Sequence, residues 1–180
     1  METETQSPLV RFYAGTAPDA QGRMISDIWA WNDEALEAGH DFVQWLFPLP
    51  EPSAFVDDAP LLTQADIGAF AASKSLRDTL RRSFVRMLEF YGFVLVDGPR
   101  VDEAPDFAEK SANWLRRFDH NYLRFTRILR ALTLLGLRDE ALAFLDALEA
   151  LHRRSGKERI GDRALGFWRN AVIVDPSPRP

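Results

Sequence analysis

The residues of this chain best suited to chemistry fall into two groups. His40 and Gln44 stand four apart, on one face of a predicted helix; His120, Asn121, Arg124 and Arg127 crowd into a second. Both groups sit among large apolar neighbours, so their polar atoms need partners: one another, buried water, or an anionic or amide-bearing ligand. We expect the two groups to converge into an interhelical site in which Arg124 and Arg127 hold an acid. The alternative without a ligand is a polar network that fixes helix register. Trp45, Asn113 and Arg117 are secondary candidates, although tryptophans such as Trp45, Trp114 and Trp168 belong first to the core. An enzymatic alternative assigns His120 or His40 the role of proton carrier near neutral pH, with arginine stabilising developing negative charge. The three histidines (His40, His120 and His152) show no close ligand spacing, and there is no cysteine, so no metal is expected. Nucleophile-elbow, Walker and dinucleotide-turn motifs are missing, and no cofactor is expected.

The element that must position the second group is Asn113 to Gly136, NWLRRFDHNYLRFTRILRALTLLG. Leu115, Phe118, Tyr122, Phe125, Leu129 and Leu132 recur at helical spacing and predict a long central helix over about 113–136, with these residues facing the core. Asn113, Arg117, His120, Asn121, Arg124 and Arg127 gather on its other side, and nearby Leu123 and Ile128 suggest that this side is partly covered. Arginines 116, 117, 124, 127, 130 and 138 face a single acid, Asp119, so the helix is basic within an acidic chain.

The flanking elements follow from local signals. Leu9 to Tyr13 reads as a short extended piece, and Met24 to Trp29 as a short amphipathic helix. Asn32 caps a helix that should run on through Phe42, Val43 and Leu46 until Pro48 stops it. Thr63 and Asp66 resemble a capping box, and Leu76 to Tyr91 forms a second long helix ended by Gly92. Phe93 to Val96 reads as buried extended chain without a partner strand, and the acids Asp97, Asp102, Glu103 and Asp106 could fold over the basic helix. Asp139 starts a helix forming a hairpin with the central one, and Ile160 to Val174 is the last helix. The expectation is one all-α domain of about six helices spanning 9–175, with little or no β structure and flexible ends at 1–8 and 176–180.

A 180-residue chain that is 46% hydrophobic and 27% charged is long and apolar enough to fold as a soluble globular domain. Its net charge of −5 disfavours binding driven by neutralising nucleic-acid phosphates. No basic leader precedes an apolar run, and no apolar stretch approaches the roughly 20 residues of a transmembrane segment, so cytoplasm is the default expectation.

The string His40-Asp41-Phe42-Val43-Gln44-Trp45-Leu46-Phe47-Pro48, followed by Leu49-Pro50-Glu51-Pro52-Ser53, is distinctive. Together with Phe90-Tyr91-Gly92, Asn113-Trp114, His120-Asn121, Leu123 through Arg130, Leu135-Gly136 and Phe167-Trp168-Arg169-Asn170, it closely resembles the opioid growth factor receptor N-terminal family across most of 10–175. The resemblance implies a binding module with peptide receptor activity. The family's animal receptor takes the pentapeptide Met-enkephalin, acts in growth control, and is associated with the nucleus and its envelope. Short length and an Ala- and Arg-rich composition resemble a bacterial member, for which another partner is expected: a peptide, a small anionic ligand or a protein.

Overall fold

The computed structural model describes residues 6–54, 56–155 and 157–173. The expected flexible tail at 176–180, residues 1–5 of the expected flexible N-terminus, and the end of the last helix at Val174 lie outside them. The chain divides into two compact units, Met1–Ser83 and Phe84–Pro180, the division falling within one helix.

The first unit opens on α1 (Pro8–Tyr13), not the expected extended piece. Ser7 Oγ accepts from Val10 N at 3.1 Å, and Pro8 occupies the first turn, where its missing N–H goes unneeded. Ser7 also donates to buried Asp66, tying α1 to α5 (Gln64–Ala72), and Tyr13 packs edge-on against Phe70 with ring centroids 4.8 Å apart. The capping box of α5 forms as expected: Thr63 N donates to Asp66 Oδ2 at 2.9 Å, and Asp66 N to Thr63 Oγ1 at 3.1 Å. Between them lie α2 (Ile25–Trp29), α3 (Asp33–Ala38) and α4 (Val43–Leu46). Asn32 caps α3 through Ala35 N at 2.9 Å, but the single helix expected to run to Pro48 is broken at Gly39, where ψ is 134°. A Cβ at position 39 would stand 2.9 Å from the buried Phe42 ring, so packing there requires glycine.

The helix α6 (Lys74–Tyr91) carries the chain into the second unit and ends, as expected, on left-handed Gly92, φ 85°. Phe93 does have a partner run: β1 (Phe93–Val96) pairs antiparallel with β2 (Arg100–Glu103), Phe93 opposite Glu103 and Leu95 opposite Val101. The β2 sequence RVDE buries only Val101, so it lacks the apolar pattern that would announce a strand. Next come α7 (Phe107–Ser111), α8 (Asn121–Leu134), α9 (Arg138–Ser155) and α10 (Asp162–Ala171), with α8 packed on α9 and α10, and α9 on β2. An aromatic core of Tyr91, Phe93, Trp114, Phe125, Phe144 and Trp168 fills this unit, and the indoles of Trp114 and Trp168 donate to Tyr91 O at 3.2 Å and Tyr122 O at 3.1 Å.

Among the described residues the fold is thus mostly helical, with ten helices instead of six and one small hairpin. The long central helix is shortened to 121–134, because Ala112–His120 forms an irregular loop. Of the acids expected to fold over α8, Asp102 pairs instead with Arg100, Glu103 with Arg154 on α9, and Asp106 with Lys110 at 3.4 Å.

Candidate functional site

The loop and the start of α8 are organised by Asp119. Its Oδ1 accepts from the backbone N and the side-chain Nδ2 of Asn121, both at 2.9 Å, and its Oδ2 accepts from Arg116 Nε at 3.2 Å. The first bond satisfies an N–H at the opening of α8 that no helical carbonyl can reach. Asn121, fully buried, turns its carbonyl oxygen to Tyr91 Oη and Arg124 Nη1, each a donor at 3.2 Å. Tyr91, Asp119, Asn121 and Arg124 therefore form one polar network reaching into the aromatic core. Such a network rigidifies its surroundings when its groups are satisfied.

Tyr122 holds the loop from another side. Its hydroxyl donates to Arg116 O at 2.9 Å and lies 3.2 Å from Arg159 O. Burial, reinforced by the charge of Asp119, pushes its pKa up to about 12. Between these anchors Phe118, expected in the core, is 86% exposed in a left-handed backbone conformation, φ 63°, with the Arg117 guanidinium 4.9 Å from its ring centroid. Leu123, expected under cover, is also exposed, whereas Ile128 is buried.

The structure brings Asn121 and Arg124 together, and places His120 on the same carboxylate, Nδ1 3.7 Å from Asp119 Oδ1. Arg127 is half-buried, and Asn113 and Arg117 are exposed on the loop. His120 and Arg127, seven residues apart, share one side of the helical path. His40 and Gln44 belong to the first unit. His40 is exposed; Gln44 is buried, its amide nitrogen oriented to donate to the carbonyls of His40 and Asp41, each at 3.2 Å. Trp45 is buried edge-on against Phe12, ring centroids 5.2 Å apart.

Sequence reasoning missed a second charged cluster. Arg23 bonds Asp19 at 2.7 Å and Asp41 at 3.0 Å, and lies 5.3 Å from the Trp31 ring centroid. These two carboxylates hold its pKa above the usual arginine value against the opposing effect of burial. The four-residue spacing of Asp19 and Arg23 was a visible signal; the tie to Asp41 was not.

The second unit is thus a helical module in which an exposed aromatic and arginines sit on a loop held to α8 by buried hydrogen bonds. The chain belongs to the opioid growth factor receptor (OGFr) conserved-region family, whose pattern it matches over residues 2–177. It is 43% identical to the opioid growth factor receptor of Rattus norvegicus over 121 residues, 64% of this chain and 20% of that one. The Homo sapiens receptor is 39% identical over the same length, 64% of this chain and 18% of the receptor. Opioid growth factor receptor-like protein 1 of Mus musculus is 35% identical over 137 residues, 71% of this chain and 28% of its own. The chain thus spans between about a fifth and a little over a quarter of the length of these relatives. No solved structure matches it. No helix among the described residues is long and apolar enough to cross a membrane.

Proposed function

We propose that this chain is a partner-binding module that recognises a peptide or protein segment through the Ala112–His120 loop and the first turns of α8. The observation that carries this reading is Phe118: a non-glycine residue at φ 63° that is 86% exposed. A left-handed phenylalanine costs on the order of 1–2 kcal/mol, and exposing its ring adds hydration cost, so the surroundings must impose the conformation. Those surroundings are the bonds of Asp119, Asn121 and Tyr122. An aromatic side chain next to an arginine is also the pairing in which interface energy concentrates.

In this reading Asn121 and Arg124 position the loop, Arg127 supplies charge for an anionic group of the partner, and His120 offers a hydrogen-bonding ring beside it. The receptor names of its relatives support binding over catalysis. Met-enkephalin, the peptide implied by the family resemblance, is the first probe, within a set of short peptides carrying free or amidated C-termini. Titration calorimetry should show saturable binding that weakens at least about tenfold in Phe118→Ala, without loss of melting temperature, and also weakens in Arg127→Gln. Failure of every peptide to bind, or wild-type affinity in Phe118→Ala, would reject this reading.

A further inference from the structure

A different part of the second unit carries a cleft of 720 Å³, bounded by β2, α7, α9 and the segment leading to α10. That volume lies within the range of about 300–1,000 Å³ typical of small-molecule sites. Phe107 and Leu151 form its buried floor and Leu115, half-buried, one side, a small apolar surface against which a short apolar tail would lie. Its charges do not cancel. Glu103 is engaged by Arg154, whereas among the described residues no acid pairs with Arg159. Two cations against one carboxylate leave one positive charge. The Arg159 backbone is itself held, its carbonyl 3.2 Å from the Tyr122 hydroxyl. Ser111 adds a buried hydroxyl whose own bond, to Ala108 O, is stretched to 3.5 Å, leaving it able to exchange that acceptor for a better one.

We infer that this cleft binds a small organic monocarboxylate with an aliphatic or aryl tail. The carboxylate meets Arg159 and the outer edge of Arg154, and the tail lies on Phe107, Leu115 and Leu151. One negative charge balances the excess; a dianion such as phosphate would face the Glu103 carboxylate with charge to spare and no use for the apolar surface. The inference rests on residues other than Phe118 and Arg127, so it stands or falls separately from the peptide-binding reading.

Backbone-amide NMR shifts of the full chain, followed at Ala108, Ser111 and Ser155 during titration, test it. The probes are 4-phenylbutyrate, its neutral amide 4-phenylbutanamide, and inorganic phosphate. 4-Phenylbutyrate should give saturable shifts at these positions below about 10 mM, with the amide and phosphate each at least about tenfold weaker. Arg159→Gln should weaken 4-phenylbutyrate about fivefold or more while keeping the wild-type melting temperature, because the backbone contact to Tyr122 survives. Arg163→Gln removes the same charge outside the cleft and should leave affinity unchanged. No saturable shift, equal binding of the amide or of phosphate, or equal weakening by Arg159→Gln and Arg163→Gln would overturn the inference.

Discussion

At the scale of single residues, the loop before α8 sets a conformational cost against anchoring bonds. Phe118 carries the cost, and replacing it with glycine should release it, since glycine occupies φ 63° without a Cβ penalty. Because the ring is exposed, little packing is lost, and Phe118→Gly should stabilise the protein by about 0.5–1 kcal/mol in urea unfolding. A fall in stability would show that the ring supports the fold. Asn121 carries the anchoring. Truncation to alanine removes an acceptor shared by the Tyr91 hydroxyl and Arg124 in a buried place, so Asn121→Ala should cost about 2–3 kcal/mol. A cost below about 1 kcal/mol would mean that water replaces the amide. The residue types were visible in the sequence, and so was the grouping of Asn121 with Arg124, because i to i+3 neighbours on a helix meet by construction. Phe118 was misread because its spacing fits the apolar stripe, and spacing carries no information about where the helix starts.

At the scale of elements, the connections decide the structure as much as the helices do. Gly92 closes α6 at φ 85°, and a Cβ there would lie 2.9 Å from the Phe107 Cα, a backbone atom of α7. Gly92→Ala therefore meets both a disallowed backbone and a clash that no rotamer relieves, and should destabilise by about 2 kcal/mol or more in thermal or urea unfolding. A change below about 0.5 kcal/mol would show that α7 moves aside without cost. The stop at Gly92 could be read directly, since a glycine after a periodic run is a local signal. The break at Gly39 could not. What holds glycine at that position is the Phe42 ring filling the space where a Cβ would go, and the surrounding apolar pattern runs on as though the helix continued.

At the scale of the whole molecule, two buried tyrosines tie stability to alkaline pH. Tyr13 donates to the Leu46 carbonyl and burial raises its pKa, while that of Tyr122 is pushed up to about 12. Unfolded tyrosine ionises near pH 10. The native state thus keeps protons that the unfolded chain has released, so this contribution to stability is complete below pH ~10 and declines as pH rises through about 12. Urea unfolding at about pH 9 and about pH 11 should record the decline. Tyr122→Phe should make it shallower, at a neutral-pH cost of about 1 kcal/mol for the lost hydroxyl bonds. An equal decline in both proteins would remove Tyr122 from the account. By itself, the sequence determined the helical character of the chain, the caps at Asn32 and Thr63, the stop at Gly92 and the family, because each is written in residues within a few positions of one another or in a string read whole. Only the tertiary structure decided that Ala112–His120 leaves the helical path, that RVDE becomes a strand, and that Arg159 lines a cleft with one positive charge in excess. Those outcomes depend on partners far along the chain: Tyr91 for Trp114 and Asn121, Phe93 to Val96 for β2, and Glu103 for Arg154. The free energy that selects them exists only once these distant groups have been brought together.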